Sequence, residues 1–137
     1  MRILTVILLV AFGLAIAVAA SGQSIALCDG PNRYTCIVDG DTLWLRGTKY
    51  RLEGFDTPEP QTGICGGATE VALARQASAR LAELLNTNDW ELVPSGSVGG
   101  RGRDLATIYI NGRDVGDILI AEGLARRWPD GLEFWCN

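Results

Sequence analysis

Histidine is absent from all 137 residues, and that one gap removes several chemistries. Ser-His-Asp and Cys-His catalysis both need an imidazole, as does every His-ligated metal site. Hydrolysis here would have to run on carboxylates, arginines and hard metal ions. Zinc is poorly served, because no Cys-x-x-Cys occurs and only a scattered four-cysteine site would remain. A general basic surface is missing as well. The net charge is −4, and loss of Arg2 with the N-terminal segment would make it −5. Binding to nucleic acid would therefore depend on a local patch of positive charge. No internal repeat or low-complexity linker follows residue 20, and the length suits one domain rather than two.

The only long apolar run lies at the N-terminus. Met1-Arg2 supplies one positive charge, Ile3 to Ala20 carries none, and Ala17-Val18-Ala19-Ala20 leads into polar Ser21-Gly22-Gln23-Ser24. That order predicts a secretory signal peptide over residues 1–20, cleaved after Ala19 or Ala20. The alternative is an uncleaved anchor, since the run is long enough to span a bilayer. A lipoprotein signal fits less well, because bulky Leu27 precedes Cys28. Residues 25–137 are then one exported domain, periplasmic or secreted, with no stable membrane partner after cleavage and expected to act as a monomer. Four cysteines fit that compartment as two disulfides. Of the three connectivities, the favoured one joins Cys28 to Cys36, closing a short loop, and Cys65 to Cys136, pinning the C-terminus to a mid-chain loop.

Short β-favouring runs occur at Tyr34 to Val38 and Thr42 to Leu45, followed by an Arg46-Gly47-Thr48 turn and a strand over Lys49 to Phe55. A Pro/Gly-rich loop covers Pro58 to Gly67. Val71, Ala74, Ala77, Leu81, Leu84 and Leu85 recur at helical spacing, predicting a helix over Thr69–Leu85 with Thr69 as its cap. Strands are expected again at Trp90 to Val93 and Leu105 to Ile110, separated by a glycine-rich loop. Asn111-Gly112 signals a hairpin, and Val115 to Glu122 a short helix stopped by Gly123. Three strands, a helix, two strands and a small helix is the order of a partly open, five-stranded OB-type β-barrel with helices, an α+β fold.

The chemistry is concentrated between Asp39 and Glu59. Asp39 and Asp41 sit one residue apart at a strand junction and can face the same side of an extended chain. Hard cations such as Ca²⁺ favour oxygen ligands of this kind. Taken alone, the tetrapeptide Asp39-Gly40-Asp41-Thr42 reads more readily as a solvated turn. Asp56-Thr57-Pro58-Glu59 adds two carboxylates at a strand end, by itself an ordinary acidic turn. Arg51 makes the combination more specific, but a straight strand would hold Arg51 and Asp56 about 17 Å apart at roughly 3.3 Å per residue. For both to serve one phosphate the chain must bend, and Gly54 is where it could. Arg103, at the foot of a later strand, reads locally as a surface charge.

Together the segments Val38 to Thr42 (VDGDT), Tyr50 to Pro60 (YRLEGFDTPEP), Gly102 to Gly112 (GRDLATIYING) and Val115 to Ala125 (VGDILIAEGLA) resemble the staphylococcal nuclease (thermonuclease) family in order and spacing. The resemblance spans about Cys36 to Arg126. It implies a Ca²⁺-dependent nuclease acting on DNA or RNA. Asp41 and Asp56 would ligate the ion with help from the Thr57 carbonyl, and Asp39 would act through water. Glu59 resembles the carboxylate that orients or deprotonates the attacking water, and Arg51 and Arg103 the two arginines that hold the phosphate. Two departures stand out. Arg101-Gly102-Arg103 replaces the family's Tyr-Gly-Arg, and the tail from Pro129 to Asn137 is too short for the family's last helix and its base-stacking tyrosines. Trp128, Phe134 and Trp135 are expected to pack that tail rather than to stack on bases. The competing readings are a non-catalytic OB-fold module binding oligonucleotide or another ligand, and a structural, disulfide-stapled envelope protein.

Overall fold

The computed structural model describes residues 24–61 and 64–136; the predicted signal segment, 1–20, lies outside them. Strands β1 (Cys36–Asp39), β2 (Thr42–Leu45) and β3 (Thr48–Leu52) form a meander, followed by a two-residue β4 (Phe55–Asp56) and helix α1 (Gly67–Thr87). Then come β5 (Trp90–Gly99), a 3-10 turn at Gly100–Gly102, β6 (Arg103–Ile110), β7 (Arg113–Asp114), α2 (Val115–Ala121) and β8 (Arg126–Arg127). The main sheet runs β1-β2-β3-β6-β5 with β7 on β6, and a separate ribbon pairs β4 with β8. Neighbours are antiparallel except β3 and β6, which run parallel. This is the expected OB-like α+β arrangement, with a sheet that does not close. Among the described residues, no helix is long and apolar enough to cross a membrane.

Local chemistry explains the two tight hairpins. Arg46 and Gly47 have φ of 51° and 83°, and Asn111 and Gly112 have 50° and 76°. Positive φ at both central residues gives turns whose twist matches that of the flanking strands. The core lies between the sheet and α1. Ile37, Leu43, Leu52, Leu81, Ile108 and Leu119 are fully buried, and Ala74, Ala77, Leu81, Leu84 and Leu85 turn the apolar stripe of α1 toward them. Each large apolar side chain enclosed this way contributes about 1.5–3 kcal/mol.

Four expectations change. The strand expected over Lys49 to Phe55 is two strands, because Gly54 takes φ +84° and turns the chain between them. Tyr34 and Thr35 lie outside β1, with Tyr34 exposed. Most of the expected glycine-rich loop is strand, since β5 continues to Gly99 across a register shift between Pro94 and Val98. Thr69 does not cap α1. The cap position is Gly66, and the first turn is held instead by Glu70, whose carboxylate accepts from the Gly66 N–H at 2.8 Å.

Both favoured disulfides are present, Cys28–Cys36 and Cys65–Cys136, with Cα separations of 4.9 and 4.8 Å. They close loops of very different size, with sequence separations of 8 and 71. Loop-closure entropy then predicts unequal contributions, about 2–3 kcal/mol for the short loop and about 4 kcal/mol for the long one. Removing Cys65–Cys136 by paired alanine substitution should lower the unfolding free energy more than removing Cys28–Cys36. Urea unfolding of the two double variants checks this, and the reverse order would contradict it.

Candidate active site

The site is built on the kink at Gly54. Pairing of Thr42 with Arg51 brings the start of β2 beside β3, and the Leu52 N–H donates to the Asp41 carbonyl at 2.8 Å. Beyond Gly54 the chain doubles back enough for the Arg51 side chain to reach β4. Its Nη2 donates to the Phe55 carbonyl and to Asp56 Oδ1, each at 3.2 Å, while Nη1 pairs with Asp41 Oδ1. The bend required for Arg51 and Asp56 to meet is therefore present. One guanidinium bridges both predicted metal-binding carboxylates.

Asp41 is 2% exposed, and a charge so enclosed must be fully partnered. Besides Arg51, it accepts from Thr42 Oγ1 and from both the N–H and the hydroxyl of Thr57, each at 3.0 Å. Asp39 lies directly behind, its Oδ1 accepting the Asp41 N–H at 3.2 Å. Burial first, and then the charge of Asp41, push the Asp39 carboxyl up to about 7. The turn between them needs a glycine for space. A Cβ on Gly40 would come within 2.7 Å of Thr57 Cγ2 and 2.9 Å of Ala77 on α1.

Glu59 is half-buried, and its backbone N–H donates to Glu70 Oε1 at 3.0 Å. Burial raises the Glu59 pKa, and the charges of Asp41 and Asp56 raise it further against the opposing pull of Arg51 and Arg101. Arg103 opens β6, with its Nε donating to the Gly100 carbonyl at 2.9 Å. It joins the others because β3 and β6 run parallel with Arg51 opposite Leu105, and alternate residues of a strand share a face. Arg51, Asp56, Thr57, Glu59, Arg101 and Arg103 border one open cleft of about 680 Å³. Asp41 is not part of that lining but contacts two of its members, Arg51 and Thr57. The donor atoms are all oxygen and mostly carboxylate, and Asp41 and Asp56 already converge on a single cationic group. That set fits a hard divalent cation. The grouping of Cys65, Glu133 and Cys136 does not, because both sulfurs are spent in the disulfide.

Two supporting residues lie outside the candidate site residues read from the sequence. Glu70 is fully buried and gathers the N–H groups of Glu59, Cys65 and Gly66 onto one carboxylate. Arg126 donates from Nε to Asp56 Oδ2 at 3.0 Å, from the far end of the chain. A first-turn acid was a visible signal for Glu70, since such residues favour helix N-termini. No local signal marks Arg126. Of the three tail aromatics, Trp135 is buried as expected, whereas Trp128 is 53% exposed at the cleft. Phe134 packs edge-on against Trp135, 5.0 Å between ring centres.

Comparison with known families fits this geometry. The family described as staphylococcal nuclease homologue matches residues 49–130, more than half of the chain. The chain belongs to this family. Comparison with curated proteins gives no match. The matched span takes in Arg51, Asp56, Glu59 and Arg103, while Asp39 and Asp41 lie just before it. Within this staphylococcal nuclease domain, Thr57 ties the Asp41 turn to the loop carrying Glu59, and Glu70 ties that loop to the start of α1.

Glu70 allows a check of that framework. Desolvation would raise its pKa, but the three backbone N–H groups outweigh it and hold the carboxyl below the ordinary glutamate value of 4.5. A depressed carboxylate contributes stability above its unfolded pKa and loses it as the pH falls through the folded value. Glu70→Gln should therefore destabilise the domain by about 1–3 kcal/mol near neutral pH, through imperfectly satisfied backbone donors. The difference from the parent should shrink below about pH 4.5. Unfolding titrations at several pH values measure this, and a gap independent of pH would contradict it.

Proposed function

We propose that this domain is an exported, Ca²⁺-dependent nuclease that hydrolyses phosphodiester bonds in DNA, RNA or both. The observation that carries the reading is the meeting of Asp41, Asp56 and Arg51 across the Gly54 kink, with Glu59 and Arg103 bordering the same cleft. Family membership supports it. Export is supported by the two disulfides together with the signal-like N-terminus.

Asp41, Asp56 and the Thr57 carbonyl would hold the ion, with Asp39 contributing through water. When bound, Ca²⁺ supplies Lewis-acid stabilisation of charge on the phosphoryl group. The remaining work falls to the chain. Arg51 and Arg103 present planar donor forks that match phosphate oxygens and stay charged at any relevant pH. Once on the phosphate, these donors stabilise the charge that builds on five-coordinate phosphorus more than they stabilise substrate. To serve the phosphate, the Arg51 guanidinium must give up part of its hold on Asp41 and Asp56. Glu59 takes the proton of the attacking water, and its partial burial raises its pKa in the direction that suits a general base.

The test uses the oxidised mature protein with single- and double-stranded DNA and with RNA, in Ca²⁺ or in chelator. Cleavage should require Ca²⁺. Arg103→Ala should lower turnover by about 10²–10³, the usual effect of losing one transition-state donor. Glu59→Gln should lower it by about 10²–10⁴. Binding without cleavage would instead indicate an oligonucleotide-binding module, and cleavage unaffected by chelator would overturn the Ca²⁺ assignment.

A further inference from the structure

Arg126 stands 70 residues from Asp56 in sequence and directly opposite it in the β4–β8 ribbon. Its side chain is only 9% exposed, and its guanidinium is held all round. Nε donates to Asp56 Oδ2, Nη1 donates to the Gly131 carbonyl at 2.8 Å, and Nη2 pairs with Glu133. The rings of Trp128 and Trp135 lie 5.1 and 5.9 Å from its Cζ. The neighbouring Cys136 is tied by its disulfide to Cys65, across the cleft loop. Asp56 is thus gripped on both oxygens, by Arg51 at Oδ1 and by Arg126 at Oδ2.

From this we infer that Arg126 is a positioning residue for the metal site, fixing Asp56 through Oδ2 so that Oδ1 faces Asp41. The inference rests on the reading of Asp56 as a Ca²⁺ ligand. A carboxylate held by an outer partner is oriented before the ion arrives, and losing such a partner typically weakens metal affinity by about 10–100-fold. The positive charge of Arg126 acts in the opposite sense, because it repels a second cation. Arg126→Lys separates the two effects. It keeps the charge but loses the planar fork that spans Asp56, Glu133 and the Gly131 carbonyl.

Calorimetric Ca²⁺ titration and the Ca²⁺ dependence of cleavage, with melting temperature recorded in parallel, would be measured on the oxidised protein. Arg126→Lys should raise the half-saturating Ca²⁺ concentration by about 10–100-fold, with turnover recovering at saturating Ca²⁺. Glu133→Gln, which removes one support of the guanidinium, should shift it less and in the same direction. A lowered melting temperature with unchanged Ca²⁺ half-saturation would reduce Arg126 to a clip for the tail and overturn the inference. Asp56→Asn keeps the two failures apart. If it binds Ca²⁺ as the parent does, the reading of Asp56 is wrong and the inference falls with it. If it loses Ca²⁺ while Arg126→Lys titrates like the parent, only the inference fails. Should Arg126→Lys not fold, an unshifted Glu133→Gln would also overturn it.

Discussion

The ion-pair chain Asp41–Arg51–Asp56 is the constraint on which the rest of the site depends. Its three members come from the β1–β2 turn, β3 and β4: β2–β3 pairing brings Asp41 to Arg51, and the turn at Gly54, whose backbone angle is open to few other residues, brings Asp56 to Arg51. Placing two carboxylates so close is costly without a cation between them. The fold meets that cost with buried donors, from Thr42 and Thr57 on Asp41 and from Arg126 on Asp56. The architecture of the candidate site is therefore largely a solution to one electrostatic problem.

The same problem bears on how an acidic protein would meet the polyanionic substrate proposed for it. The chain carries −4 overall, so long-range attraction to a polyanion is weak. Yet Arg51, Arg101, Arg103 and Arg126 all border one cleft. They share it with Glu53, Asp56, Glu59, Glu70 and Glu133, so the positive groups stand among carboxylates, two of them already ion-paired. For the proposed substrate, such an arrangement favours contact with one phosphate at close range over sliding along a duplex.

Much of this was legible in the sequence, but not evenly. Arg46-Gly47 and Asn111-Gly112 announced their hairpins because positive φ is a local demand with local chemical signatures. The helical stripe from Val71 to Leu85 was equally plain, and the need for a bend at Gly54 came from distance alone. The features that stayed hidden depend on tertiary pairing. The continuation of β5 past Pro94 runs against strand propensity: the register shifts across Ser95-Gly96-Ser97, and pairing with β6 resumes at Val98 and Gly99. Thr69 looked like a cap, but Glu70 does that work because the loop before α1 folds back over its first turn. Arg126 could not be picked out, since nothing near residue 126 reports that Asp56 lies across from it.

The central claim is that Asp41 and Asp56 share one cation. The most direct measurement is an anomalous difference map from crystals soaked in a calcium-like lanthanide. The account predicts a single strong peak between the two carboxylates, with the Arg51 guanidinium withdrawn from at least one of them. No peak there, with Arg51 still bridging the two aspartates, would contradict it.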